Sequence, residues 1–373
     1  MQALIRIFPY LQMSLWAVML WASVFAVDFS LFNGLVHAKQ RVVEIFIPCL
    51  FVFVPLVYSL KSHWRITIVD VLVFILATYL LVWEVLVVKS PYVSFFNSSF
   101  PVFLWLALYW CIRTMPAGNI TIWFVLISWL LVVIAQAVLG LMQLYDFFPS
   151  NHALFKITGS FHNPGPYSGF IATGLPLALV LLIQPFRVNS ESVVDSKLTR
   201  LVGAGLQALA WLAIVSVALV LPAAQSRAAW LAGAVGLIFV LLRMPVAAPY
   251  KERLVALWRS MSRLWRLASV VLFLVLMVAV VYGLYSYKKG SADGRWLIWQ
   301  VTAELVKDKP LIGYGAGGFK ANYMDAQAAW FASGKGSATD AMVAGSPETP
   351  FNELLKVWME RGVFALMVVL CLI

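Results

Sequence analysis

The sequence predicts an all-α, polytopic integral membrane protein of about ten transmembrane helices with one large helical loop. Of its 373 residues, 62% are hydrophobic and 12% are charged, and the mean hydropathy is +0.89. Soluble domains hold about 45–50% apolar and about 25% charged residues, so they are excluded as a class. The chain also divides into apolar runs of about 17–25 residues, the length at which a helix crosses a bilayer. A single long polar interval, residues 286–362, interrupts this pattern.

The apolar runs define the expected spans. They lie near 13–36, 43–60, 66–88, 99–112, 121–144, 166–186, 201–221, 228–242 and 267–286. A further run begins at Val363 and continues to Ile373. We therefore expect residues 1–285 to hold the first nine spans, residues 286–362 to form the loop, and residues 363–373 to begin another helix that continues in the natural protein.

The net charge of +11 indicates membrane orientation rather than nucleic-acid binding. With the N-terminus inside, the cytoplasmic segments hold most of the basic residues: Arg6, Lys61, Arg65, Arg113, Arg187, Lys197, Arg200, Arg243, Lys251, Arg253, Arg259, Arg263 and Arg266. The short outer segments hold Lys39, Arg41, Lys89, Lys156 and Arg227. This asymmetry follows the positive-inside rule, from which long loops are exempt. We expect a multi-pass membrane protein whose large loop lies outside the cytoplasm, which is the periplasm if the source is a Gram-negative bacterium.

One cytoplasmic segment has the pattern of an interfacial helix, near residues 250–266. Its apolar residues recur at helical spacing, and basic residues occupy the opposite face: Leu254, Leu257, Trp258, Met261, Leu264 and Trp265 against Lys251, Arg253, Arg259, Arg263 and Arg266. Such a helix lies on anionic lipid.

The large loop is predicted to contain two helices. The first is capped by Ser291 or Asp293 and runs to about Lys307, which places Arg295 near its start, where positive charge opposes the helix dipole. The second has Thr349 as N-cap and Pro350 at its first position, with Asn352 and Glu353 in the first turn. Backbone N–H groups at that end attract anions.

An outer segment before the sixth span is the second candidate site. Residues 159–167 read Gly-Ser-Phe-His-Asn-Pro-Gly-Pro-Tyr, which predicts a rigid turn that either lines a site or is purely structural. His162 is a candidate there, against a structural hydrogen-bonding role. Arg227, at the outer end of a span, either snorkels to headgroups or faces a cavity and binds an anion.

Two kinds of cofactor site are excluded. Gly313, Gly315 and Gly318 have G-x-G-x-x-G spacing, but no strand precedes them, so they predict a close-packed turn rather than a dinucleotide site. The four histidines and three cysteines lack metal-ligand spacing. We expect no metal and no cofactor.

Taken in order, several motifs resemble the O-antigen ligase and polymerase superfamily. They are Gly-Ser-Phe-x-Asn-Pro-x-x-Tyr at 159–167, Ser-Arg at 226–227, Gly-Arg-x-x-x-Trp at 294–299, Asp-x-Pro-x-x-Gly-x-Gly at 308–315, Asn-x-x-Leu at 352–355 and Glu-x-Gly at 360–362. They extend over about 160–362, and their order and topology agree with the family as well as the residues do.

The resemblance implies a protein of the bacterial inner membrane whose active site faces the periplasm, and transfer of a glycan from undecaprenyl-pyrophosphate to an acceptor hydroxyl on a glycan, lipid or protein. Arg227 and Arg295 then stabilise the departing pyrophosphate through charge-assisted contacts. Asn163, Tyr167, His162, Asn352 and Glu360 are the implied substrate-binding residues. Glu353, Lys356 and Glu360 also have the spacing of a solvated ion-pair face, which is the competing interpretation of those three.

The sequence departs from the family at Phe351, where many ligases place a histidine as the proposed general base. Glu353 or His162 then deprotonates the acceptor, or the arginines act without a base. The departure argues against lipid A-core ligation and favours a polymerase or another glycan ligase.

Two alternatives concern other residues. A transporter or flippase needs polar residues inside spans, of which Glu84 and Gln136 are examples. Trp296, Trp299, Tyr314 and Trp330 either stack on sugar rings or anchor the chain at the membrane surface.

Overall fold

The structure is a computed structural model that describes residues 2–30, 33–58, 65–83, 95–115, 119–183, 196–245 and 248–373. Lys61, Glu84, Lys89 and Arg187, which entered the topology and transporter arguments, lie outside these residues.

The described residues fold into helices without a strand, which confirms the all-α class. The helices are α1 (Gln2–Phe25), α2 (Gly34–Phe51), α3 (Phe53–Tyr58), α4 (Ile68–Val82), α5 (Phe95–Arg113), α6 (Asn119–Leu144), α7 (Pro164–Ala172), α8 (Gly174–Ile183), α9 (Ser196–Val220), α10 (Arg227–Arg243), α11 (Ala248–Ser260), α12 (Arg263–Tyr287), α13 (Lys289–Asp308), α14 (Gly318–Ala332), α15 (Ala338–Val343) and α16 (Glu353–Leu372).

Within the described ranges, four helical segments are long and apolar enough to cross a membrane, and a fifth is possible if α10 and α11 form one bent span. The four are Thr121–Leu144, Pro164–Ile183, Arg200–Val220 and Arg263–Tyr287, each close to a predicted apolar run. Shorter apolar helices cover Tyr10–Phe25, Ile68–Val82 and Phe100–Arg113. The protein is thus consistent with a helical membrane protein, and the count of about ten spans stays a prediction.

The chain divides into two compact units. Unit 1 comprises Met1–Val57 and Thr114–Val270. Its main core cluster joins the C-terminal ends of α6 and α9 to α7 and the N-terminal part of α10, through residues that include Val133, Val220, Tyr167 and Ala229. These helix ends therefore meet in one place.

Unit 2 comprises Tyr58–Arg113 and Val271–Ile373. Its core cluster is built by α13, α14 and α16, around Leu297, Phe319, Tyr323 and Met359. The Tyr79 hydroxyl on α4 donates to the Arg361 carbonyl at 2.8 Å, which ties α4 to α16. The polar interval and the helix that follows it are thus packed together within unit 2.

The predicted interfacial segment is divided between two helices. α11 ends at Ser260, α12 begins at Arg263, and the Ser262 carbonyl accepts the backbone N–H of Arg266 at 3.0 Å. Arg263 and Arg266 consequently belong to the membrane-length α12. No residue of α11 is buried, as expected for a helix on a lipid surface.

Candidate functional site

The Asn163 turn (residues 159–167) is fixed by two buried glutamines of α6. The Gln143 side-chain oxygen accepts the backbone N–H groups of Thr158 and Gly159 at 2.9 and 2.7 Å. Two helical turns earlier on α6, the Gln136 side-chain oxygen accepts the Ser160 N–H at 3.1 Å, and its amide nitrogen donates to the Ser160 hydroxyl at 2.9 Å. Buried amides that satisfy buried backbone groups in this way hold a loop rigidly.

The second half of the turn opens α7. Asn163 is the N-cap, and its side-chain oxygen accepts the Gly165 N–H at 2.8 Å, with Pro164 at the first helical position. Tyr167 is fully buried, and its hydroxyl donates to the Gln136 carbonyl at 3.0 Å. His162 is exposed. His162 therefore lies at the surface of the turn, and the buried Tyr167 side chain attaches the turn to α6.

Lys39 also holds the turn, and the sequence patterns had suggested only a charge on the outer side. Its ammonium group donates to the carbonyls of Val24 and Ala26, the latter at 3.1 Å, and lies 3.4 Å from the Ser160 hydroxyl. It connects the end of α1 to the turn. A lysine 121 positions away has no periodic signal that could have revealed this role.

Arg227 is the first residue of α10 and is partly buried. The turn before it is held by Trp230, whose ring N–H donates to the Leu221 carbonyl at 2.9 Å. Ala224 and Ala229, on either side of Arg227, are buried in the same cluster as Tyr167. Unit 1 thus brings Arg227 and the Asn163 turn to neighbouring helix ends.

Arg295 lies deeper in its helix than expected. α13 begins at Lys289, and Lys288 makes no side-chain capping bond, so the capping role assigned to Ser291 or Asp293 is wrong. α13 follows α12 almost directly, and the Ala292 N–H donates to the Lys288 carbonyl at 3.2 Å. Arg295 is exposed in the second turn, where its charge opposes the helix dipole less than at the first position.

Arg295 faces the segment that precedes α16. Its guanidinium carbon lies 5.5 Å from the centre of the Phe351 ring, within cation–π range. Trp299, one turn further along α13, donates its ring N–H to the Pro350 carbonyl at 2.9 Å. Arg295, Phe351 and Asn352 form what we call the Arg295 patch.

Asn352, and not Thr349, caps α16. The Asn352 side-chain oxygen accepts the Leu355 N–H at 3.1 Å, and the helix begins at Glu353. Phe351 has φ +53°, so the chain cannot continue as a helix from Pro350. Glu353 becomes the first helical residue and is exposed beside the backbone N–H groups of the helix end.

The glycines at 313–318 form the close-packed turn that their spacing predicts. Gly313 and Gly315 have φ +69° and +88°, and the Gly315 N–H donates to the Glu360 carbonyl at 2.9 Å. A methyl group on Gly313 would lie 2.7 Å from the Glu360 backbone, which explains the need for glycine. α14 begins at Gly318, the last of these glycines, and none of the described residues forms a strand.

Glu360 is buried at the N-terminus of α14, where its carboxylate accepts the Phe319 N–H at 3.3 Å. None of the ion pairs in the described part of the chain joins Glu353, Lys356 or Glu360, so the ion-pair interpretation of this face does not hold there. Glu360 thus takes the place that an external anion would occupy at this helix end.

We expect Glu360→Gln to be more stable than the wild type at neutral pH. Burial raises the pKa of Glu360, although the charge of Lys356 partly offsets this. A raised folded-state pKa contributes stability that is complete below the unfolded-state pKa and is lost as the pH rises through the folded-state value. The difference should therefore vanish near pH 4, which thermal unfolding in detergent from about pH 4 to about pH 8 would measure.

The matched control for that comparison is Glu348→Gln, because Glu348 is an exposed partner of Lys320. A Glu360→Gln variant that is less stable at neutral pH would show that the charge stabilises α14 more than burial disfavours it.

Of the four aromatic residues considered for sugar binding, Trp296 is the exposed one, with 59% of its surface accessible, and the other three are partly buried. Trp299 donates to Pro350, Tyr314 lies under Lys309 at 4.4 Å, and Trp330 packs against the core of unit 2. Trp296 is the best placed of the four to meet a ligand.

Arg227 belongs to unit 1 and Arg295 to unit 2. That the two side chains share one cavity stays a prediction. Among the described residues, no group of three or more His, Cys, Asp or Glu could hold a metal ion.

Residues 208–370 match the model of the O-antigen ligase family. The match includes Arg227, Arg295 and the Arg295 patch, and it supports the resemblance to the O-antigen ligase and polymerase superfamily. No curated protein and no solved structure matches the chain. The helical apolar segments and the family match together support a bacterial membrane protein with an O-antigen ligase- or polymerase-type function in general terms.

Proposed function

We propose that this protein transfers an oligo- or polysaccharide from undecaprenyl-pyrophosphate to an acceptor hydroxyl on the periplasmic face of the inner membrane. The observation that carries the proposal is the match of residues 208–370 to the O-antigen ligase family, because it includes both arginines assigned to the donor.

In the proposed reaction, the acceptor hydroxyl oxygen attacks the anomeric carbon of the donor sugar. The bond between that carbon and the phosphate oxygen breaks, and undecaprenyl-pyrophosphate leaves with the electron pair. Arg227 and Arg295 stabilise the developing negative charge through bidentate contacts to phosphate oxygens. The acceptor proton passes to Glu353, which is exposed at the α16 terminus.

The remaining candidates support this site in different ways. Asn163 caps α7, which packs against the helix that carries Arg227, and Asn352 caps α16, which packs against the helix that carries Arg295. His162 is exposed on the Asn163 turn. Tyr167 and Glu360 act from buried positions, by holding the Asn163 turn and the α14 terminus. We assign these last two a positioning role in place of direct substrate contact.

An apolar groove supports a lipid-linked donor. It has a volume of about 380 Å³, and α6, α7, α8 and α10 line it with residues that include Trp129, Gly169, Ala172 and Gly233. Its walls lie on the helices that carry Arg227 and the Asn163 turn. Hydrocarbon fits such a surface better than sugar does.

The alternative within the superfamily is a polymerase, in which the acceptor is a second lipid-linked glycan. The same residues would serve it. Transport is less well supported, since the Gln136 side chain makes two hydrogen bonds to Ser160 rather than lining a path through the membrane.

The test is glycan transfer by the purified protein from a defined lipid-linked donor, with product length distinguishing a ligase from a polymerase. We expect Glu353→Gln to lose about 10²–10⁴-fold in rate if Glu353 is the general base. Glu348→Gln is the control, as an exposed carboxylate in an ion pair elsewhere on unit 2.

Equal activity of Glu353→Gln would remove Glu353 as the base and direct attention to His162. In cells, loss of the transferase should leave lipid-linked glycan on the outer leaflet. Accumulation on the inner leaflet would instead indicate a flippase and overturn the proposal.

A further inference from the structure

Phe351 contacts Arg295 in a way that neither helix packing nor capping explains. The ring lies 5.5 Å from the guanidinium carbon, yet Phe351 is 52% exposed and contributes little to the core of unit 2. Burial of apolar area is therefore not the main reason for an aromatic residue here.

The backbone of Phe351 is strained. Its φ of +53° lies in the left-handed region, which bulky residues adopt rarely and at a cost of about 1–3 kcal/mol. The neighbours on both sides fix this conformation, since the Pro350 carbonyl accepts from Trp299 and Asn352 caps α16. The strained position directs the ring toward α13.

Among the residues that the structure describes, the charge of Arg295 is not neutralised by a carboxylate. In the described part of the chain, no Asp or Glu lies within 4.0 Å of its guanidinium nitrogens. An aromatic face attracts a guanidinium electrostatically without using its five N–H donors. The side chain is thereby restrained while those donors stay available to an anion.

We propose that Phe351 is a positioning residue that holds the Arg295 guanidinium against its ring, so that the N–H groups are preorganised for the pyrophosphate of the donor. The inference rests on the proposed function and deepens it. The residue that departs from the family pattern then has a role of its own in donor recognition.

The test replaces Phe351 with mono-, di- and trifluorinated phenylalanine, which weaken the negative ring face while nearly preserving shape. We expect donor binding and kcat/KM to fall stepwise, by about 2- to 5-fold in total, as for an exposed cation–π pair. Phe351→Trp should retain activity, and Phe351→Leu should lose at least as much as the trifluorinated variant. Thermal unfolding should be the same across the fluorinated series.

The same series in an Arg295→Ala background is the matched control. There the dependence on fluorination should disappear, because the two side chains act as one unit. Binding of undecaprenyl-pyrophosphate by the purified protein gives a second readout that does not need turnover.

A flat series for both binding and transfer would overturn the inference, and so would an equal decline in the Arg295→Ala background. Failure of the proposed function is distinguishable from either outcome, because it would appear as absent transfer by the wild type. The binding series would still decide the role of Phe351 in that case.

Discussion

Replacement of Arg295 by alanine is expected to lower the rate of glycan transfer by about 10²–10³-fold, the usual effect of removing one preorganised donor to a developing anion. The guanidinium is exposed, restrained over Phe351 and has no carboxylate partner in the described part of unit 2. Arg295→Lys should recover only part of the rate, since an ammonium group lacks the planar fork that phosphate oxygens prefer. Transfer by purified protein at saturating acceptor would measure both.

Arg227→Ala tests whether the second arginine acts on the same phosphate group. If both side chains bind one pyrophosphate, the double variant should lose less than the product of the two single losses. Lys320→Ala is the control, because Lys320 is an exposed cation of unit 2 whose ion pair with Glu348 contributes little. Silent Arg227 and Arg295 variants would remove the arginines from the reaction and favour a non-catalytic scaffold.

Gly362→Ala is expected to prevent unit 2 from folding, with a loss above about 4 kcal/mol. Gly362 has φ +79° and ψ +175°, a conformation that is essentially restricted to glycine. A methyl group there would lie 2.0 Å from the Leu311 carbonyl oxygen, and the Val363 N–H donates to the Pro310 carbonyl at 3.1 Å. The backbone has little room to shift, because hydrogen bonds hold the segments on both sides of the contact, Val363 to Pro310 and Tyr314 to Met359. The yield of monodisperse protein in detergent and its thermal unfolding would report the change.

Gly290→Ala is the matched control. Gly290 lies in α13 of the same unit, and a methyl group there meets nothing within 4 Å. Alanine should stabilise the helix by about 0.5–1 kcal/mol. A Gly362→Ala protein that folds as well as this control would show that the kink between Glu360 and Val363 is not required.

Long apolar runs were sufficient to predict the helical class and the four membrane-length helical segments of the described residues, because a span is determined by a long stretch of sequence. Helix ends were predicted less well. Thr349 and Pro350 carried better local start signals than Asn352, yet the bond from Trp299 to the Pro350 carbonyl and the positive φ of Phe351 move the start of α16. Such contacts arise from a residue 51 positions away and leave no local pattern.

In the candidate site, too, local features could be predicted from the sequence and long-range contacts could not. The Asn163 turn, with its two prolines and two glycines, was recognisable as rigid from its composition. The contacts that make the turn rigid could not be recognised from the sequence. They come from Gln136, Gln143 and Lys39, which look like isolated polar residues in apolar helices until tertiary structure brings them to the turn. Likewise, Glu360 has the spacing of a surface residue, and only the position of α14 buries it.

α12 has no buried residue along its 25 positions, and it leads directly into the helix that carries Arg295. At about 1.5 Å per residue it is several ångströms longer than a typical hydrocarbon layer. A span longer than the hydrocarbon layer is accommodated by tilting or by local thickening of the bilayer, so its fit depends on bilayer thickness. The lipid composition of the host membrane thus becomes a physical variable in how the start of α13 is presented.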